Sequence, residues 1–188
     1  MEQIRLYFED KFGINANDWA VFSSKLSKVS LPKKHLVLKL GQIEEFLYFI
    51  EKGVLRFYIP KDENDTTFGF AFENRFTSGY SSFITREPSV YQIETLTPSI
   101  LWRVSFNDLQ FIYDNTEIGN TIGRKASEEL FMEKSKREIS LLNESPETRY
   151  LNLFTEQPQL VRQIPLKYIA SYIGVTPQAL SRIRRRIS

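Results

Sequence analysis

The sequence predicts an α+β protein in which helices bracket a strand-rich middle, and three observations predict it. Aromatic residues reach 14%, with 15 Phe and 9 Tyr, which favours a sheet-rich core. Between Ser30 and Val104 short apolar runs are cut by turn signals about every ten residues, as in a barrel or sandwich. On both sides of that zone the apolar spacing is helical. At 188 residues and 41% apolar content, the chain can bury enough surface to fold without staples.

The elements follow in order. Ile4, Phe8 and Phe12 recur every fourth residue until Gly13 breaks the run. Asp18 then caps a second helix carrying Trp19, Phe22 and Leu26. His35–Leu40 reads as a strand stopped by Gly41, and Phe46–Ile50 and Val54–Ile59 flank a hairpin signal at Glu51-Lys52-Gly53. Asp62–Asp65 is a polar turn. Thr66–Phe72 and Ser89–Leu96 alternate, and Thr97-Pro98-Ser99 leads into Ile100–Val104. Ser105 or Asn107 caps a short helix through Tyr113. A proline-free run from Thr116 to Asn143 predicts a helix of about 42 Å. Its stripe of Ile118, Ile122, Ala126 and Leu130, beside Gly119 and Gly123, suits either a partner helix or the chain's own barrel. Lys125 and Glu129 interrupt one heptad seam. Ser145-Pro146-Glu147 restarts a helix, with serine at the cap and proline at the first helical position, and Pro158 ends it.

Composition excludes several chemistries. There is no cysteine, hence no disulfide, thiol catalysis, zinc finger or iron–sulfur cluster. His35 is the single histidine, too few for a Ser-His-Asp triad or a His-rich metal site. A metal-dependent barrel enzyme therefore lacks its ligands, and we expect no enzyme, metal or cofactor. No apolar run nears the roughly 20 residues of a membrane helix. Met1–Arg5 lacks the apolar stretch of a secretion signal. The expected address is the cytoplasm.

The carboxyl-terminal segment carries the function. In Leu166–Ile183, Ile169 and Ile173 give a first helix its apolar face, and small Ala170 lets a second helix cross close above it. Gly174 supplies the left-handed residue of a turn. Val175 buries beside it, Thr176 caps, Pro177 suits the first turn, and Leu180 and Ile183 face the same core. This is a helix-turn-helix. Its charge agrees: six basic residues and no acidic one follow Glu156, while the rest of the chain has 19 basic against 23 acidic residues. A basic end on an acidic body points to an anionic partner. With the second helix in the major groove, Gln178 can pair with adenine and Arg182 with guanine, and Ser181 lies between them. Lys167, Thr176, Arg184, Arg185 and Arg186 are placed for phosphates. A salt bridge is the alternative for Arg182, and plain solvation for the terminal arginines.

At this point the chain resembles the cyclic-AMP receptor/fumarate-nitrate regulator (Crp/Fnr) family of bacterial transcription factors. Lys39–Gln42 with Leu47–Gly53 is similar to the opening of its cyclic-nucleotide-binding roll. Ser145–Arg149 is similar to the start of its DNA-binding domain, and Ile164-Pro165 with Ile169-Ala170 to its helix-turn-helix. The resemblance implies a double-stranded β-roll sensor over 1–114, a dimerisation helix over 115–143 and a winged helix-turn-helix over 144–188. It implies a homodimer on a near-palindromic operator in double-stranded DNA, with RNA polymerase as a further partner. It adds Pro177 to the base-reading positions. Gln178 and Pro177 depart from the glutamate and arginine frequent there, which leaves the target sequence open.

The effector site is where the resemblance fails. The family's Gly-Glu-Leu run for ribose and Arg-Ser/Thr-Ala run for phosphate fall near Ser78-Gly79-Tyr80 and Ser89-Val90-Tyr91, without the glutamate or the arginine. Glu73, Arg75 and Arg86 are near but out of register. A buried cyclic phosphate without an arginine is costly, so cyclic AMP is not expected to bind. Phe70, Phe72, Phe76, Tyr80, Phe83 and Tyr91 crowd the region, either as a filled core or, for Phe70, Phe72, Tyr80, Phe83 and Tyr91, as a pocket for a small apolar effector of unknown identity. The alternative reading of the whole chain is a cyclic-nucleotide or small-ligand signalling module whose last helices contact protein.

Overall fold

The computed structural model describes residues 1–187. The chain divides into two compact units, one of Met1–Tyr58 with Phe70–Ser127, the other of Ile59–Gly69 with the chain from Glu128 on.

In the first unit, α1 (Glu2–Phe12) buries Ile4 and Phe8 and ends on Gly13 in the left-handed conformation. α2 (Ala16–Ser24) is capped not by the expected Asp18 but by Asn15, whose side chain accepts from the Asp18 amide at 2.8 Å. Asp18 instead accepts from the Ile118 amide at 3.1 Å. The strands are β1 (Ser27–Leu31), β2 (Leu36–Leu38), β3 (Phe46–Lys52), β4 (Leu55–Ile59), β5 (Thr66–Ala71), β6 (Phe76–Thr77), β7 (Gln92–Thr95) and β8 (Ser99–Ser105), with a short helix α3 (Tyr80–Thr85) before β7. They form two four-stranded sheets, ordered β1-β8-β3-β6 and β2-β7-β4-β5. Tyr48 pairs with Arg103 across β3 and β8, and Phe57 with Ile93 across β4 and β7, both antiparallel. Gly53 turns the β3–β4 hairpin at φ 109° with Ser99 hard against it, so a side chain there has neither the conformation nor the room.

α4 (Phe106–Asn115) is capped by Ser105, one of the two expected caps. The core joins Ile4, Phe8 and Phe22 to Phe49, Phe83, Val104, Leu109 and Ile112. Phe8 and Phe22 meet edge to face at 4.6 Å, an arrangement favoured by the ring quadrupoles.

The long helix α5 (Gly119–Asn143) starts three residues later than the spacing suggested. Ile118 and Ile122 pack on the roll core and Gly123 fits against the Tyr113 ring. The start of the expected stripe thus faces the chain's own barrel.

In the second unit, Ser145 caps α6 (Pro146–Glu156), its Oγ accepting from the Thr148 amide at 3.1 Å. Pro158 does not end the helical region: it opens α7 (Pro158–Gln163), where a missing amide hydrogen costs nothing. α8 (Leu166–Tyr172) and α9 (Pro177–Ile187) follow. Tyr150, Leu153, Leu160, Ile164, Ile169, Ala170, Ile173, Leu180 and Ile183 make this unit's core. Among the described residues no strand follows β8, and those beyond Ser105 form helices and their connections, with no wing among them.

Candidate nucleic-acid interface and the roll's buried carboxyl

α8 and α9 are joined as the spacing demands. Gly174 sits at φ 78°, its amide donates to the Ser171 carbonyl at 3.1 Å, and the Val175 amide donates to the Ala170 carbonyl at 2.9 Å. This pair of bonds closes a helix on a left-handed residue. Thr176 Oγ1 then accepts from the Ala179 amide at 3.2 Å and caps α9, with Pro177 next.

With Leu180 and Ile183 buried, Pro177, Gln178, Ser181 and Arg182 all face outward. They sit at spacings of one, three and one residues, a single helix face. Among the described residues Arg182 makes no ion pair, so the salt-bridge alternative is not what the chain adopts. Lys167, Thr176, Arg184 and Arg185 are exposed. Arg186 is held by Glu147 at 2.9 Å, an exposed pair of the kind that contributes at most about 1 kcal/mol and yields readily to a phosphate. Arg184–Arg186 lie in the last turn of α9, where positive charge also favours the helix dipole.

Second-unit residues that sequence reasoning missed lie behind this face. Arg149 Nε donates to the Ile173 carbonyl at 2.9 Å, and its Nη1 reaches the Glu144 and Leu141 carbonyls. Arg137 donates to the Tyr172 carbonyl at 2.8 Å and lies 3.9 Å from the Tyr172 ring. On α5, Phe131 is 70% exposed and Leu142 80%, with Met132 and Ile139 also open. Met132, Ser135, Ile139 and Leu142 recur at three-and-four spacing, a signal present in the sequence downstream of the stripe first singled out.

Of the aromatics expected to line an effector pocket, Phe70 and Phe72 are half-buried at the end of β5 and just beyond it. Phe83 is fully buried with Tyr80 packed on the same core, while Tyr91 lies against Phe57 of β4 at 6.4 Å. Two of the roll's arginines are turned to the protein itself. Buried Arg56 pairs with Glu94 at 2.8 Å across β4 and β7. Arg86 holds Glu45 and the Glu44 carbonyl, each at 2.6 Å, and lies over the Phe106 ring.

Glu44, only 2% exposed, is the residue here that the sequence did not reveal. One carboxyl oxygen accepts from the Phe46 amide at 3.1 Å and the Tyr48 hydroxyl at 3.2 Å, the other from the Gly79 amide at 3.3 Å. A Cβ at Gly79 would collide with Leu38 and press on this carboxyl. Burial pushes the Glu44 carboxyl up from its ordinary range, against the pull of those donors. A carboxyl raised in the fold above its unfolded value stabilises below the unfolded value and loses that contribution as pH climbs through the folded one. Wild-type stability should therefore fall as pH rises from about 4.5 through the elevated value, and Glu44→Gln should lack that decline. Chemical denaturation at stepped pH measures it, and parallel curves for both proteins would contradict it.

Residues 28–116 match the cyclic nucleotide-binding domain family. Solved structures carry the likeness over nearly the whole chain. A Crp/Fnr-family transcriptional regulator from Eubacterium rectale aligns at TM-score 0.73 and 18% identity, covering 96% of this chain and 87% of that one. The c-di-GMP responsive global regulator CLP of Xanthomonas campestris gives 0.72 and 15%, with 92% and 91% covered. FixK2 of Bradyrhizobium japonicum gives 0.73 and 13%, with 86% and 84% covered. No curated protein matches the sequence. The chain thus has the fold of the Crp/Fnr regulators, with a roll of the cyclic nucleotide-binding type.

Proposed function

We propose that this protein is a dimeric, sequence-specific DNA-binding regulator of transcription, acting in the cytoplasm and without catalytic activity. The observation that carries the reading is α9: Gln178, Ser181 and Arg182 project from a rigid, capped helix whose other face is locked in the core. Arginines at its end and Lys167 nearby supply phosphate contacts, and Pro177 lies at the end that meets base edges first. Residues 115–143 provide the dimer helix and 144–188 the helix-turn-helix DNA-binding part. Residues 1–114 form a sensor roll that does not take cyclic AMP: Gly79 stands where a ribose-binding carboxylate is needed, Glu44 fills the space beside it, and Arg56 and Arg86 are committed to protein partners.

Selection of bound fragments from a random DNA pool tests this reading. The expected result is a near-palindrome with half-sites one helical turn apart, about 10 base pairs. Failure to enrich any sequence would overturn it, and calorimetric binding of cyclic AMP would instead favour the signalling-module reading. On the selected operator, log affinity should fall against log salt with a slope of about −5 to −7, as expected for six to eight phosphates neutralised by a dimer. A flat titration would remove the basic end from the interface. Arg182→Ala should lose about 1–3 kcal/mol and relax preference at one base pair. An equal loss on every sequence would make Arg182 a phosphate ligand.

A further inference from the structure

The last three residues before Gly174 are each held by a different element of the second unit. The Tyr172 and Ile173 carbonyls accept from Arg137 of α5 and Arg149 of α6. Cations on the closing carbonyls of a helix are what its dipole attracts. Ser171 needs another explanation. Its Oγ accepts from the Thr67 amide at 2.8 Å and donates to the Asp65 carbonyl at 3.0 Å, more than a hundred residues back in the chain. A helical serine ordinarily bonds within its own helix or to water. Here the hydroxyl engages two backbone groups of the β4–β5 hairpin tip. That tip, Ile59–Gly69, belongs to the DNA-binding unit, whereas the chain on both sides of it belongs to the roll.

We propose that Ser171 is a positioning residue for DNA recognition. Its two bonds to the hairpin tip fix the end of α8 and so the turn at Gly174 that aims α9, without Ser171 touching DNA. The inference rests on the DNA-binding reading above for its consequence, but not for its geometry.

Ser171→Ala deletes both bonds, Ser171→Thr keeps the hydroxyl, and Thr67→Pro removes the amide donor from the opposite side. In the full chain, hydrogen exchange at the Gly174 and Val175 amides should quicken about tenfold in Ser171→Ala. Affinity for the selected operator should drop about five- to tenfold, with non-specific binding and salt slope unchanged. Ser171→Thr should restore both. Thr67→Pro should reproduce the loss, and combining it with Ser171→Ala should add little. Unchanged exchange at Gly174 and Val175, or faster exchange with wild-type operator affinity, overturns the proposal. Should Ser171→Ala fail to fold, the threonine and proline variants decide by the same two readouts. A wild-type chain that selects no DNA defeats the DNA-binding reading instead, and the exchange measurement still judges the clamp.

Discussion

Ile139→Asp combined with Leu142→Asp is expected to convert a dimer into monomers and to weaken operator binding about 10²–10⁴-fold, the range lost when two linked contacts become separate ones. Both side chains are exposed in the single chain, one turn apart on α5. Charging them leaves the core of either unit intact, so the far-ultraviolet circular dichroism spectrum should not change. A continuous stripe of Phe131, Met132, Ile139 and Leu142 has no reason to remain in water on a solitary helix, whereas an isologous pair of helices would cover it twice over. Sedimentation equilibrium and operator titration on the same samples check the point. A variant that remains dimeric, or a monomer with wild-type affinity, would remove α5 from the proposed interface.

Arg149→Ala is the second large effect. The side chain joins three carbonyls: Leu141 and Glu144 where α5 ends, and Ile173 where α8 ends. Hydrogen bonds to a charged group contribute about 1.5–3 kcal/mol each. Losing the well-aligned ones should cost the second unit about 3 kcal/mol, and affinity for the selected operator should fall with it. Arg149→Lys should recover little, because a point charge cannot reach carbonyls in several directions as the planar guanidinium does. Thermal unfolding of the full chain measures the loss. A midpoint unchanged in Arg149→Ala would show the carbonyls finding water at no cost.

Local chemistry was readable where one residue type has one reason to be present. Gly13, Gly53 and Gly174 occupy left-handed backbone at ends or turns, and Ser145-Pro146 and Thr176-Pro177 open helices with the cap and first position foreseen. Ile169, Ala170, Ile173, Leu180 and Ile183 are buried as their spacing suggested, while Val175 is only half-buried. What stayed hidden depends on pairs distant in sequence. Glu44 looks like an ordinary surface acid until Gly79 and Tyr48 are folded around it. Ser171 is one helical serine among several until the hairpin tip is placed. The division of α5 also escaped notice, because Ile118 and Ile122 satisfy the same periodicity whether they meet a roll or another helix. Proline misled in one place: Pro158 reads equally well as a stop and as a start, and the start wins because Leu160 behind it fills the core.

The cationic tail has one more consequence. Beyond Glu156 its charged side chains are lysine and arginine alone, with neither imidazole nor carboxylate. Every charged side chain that a polyanion would meet there is therefore of one sign. Dissolved salt would loosen such a hold by shielding those charges.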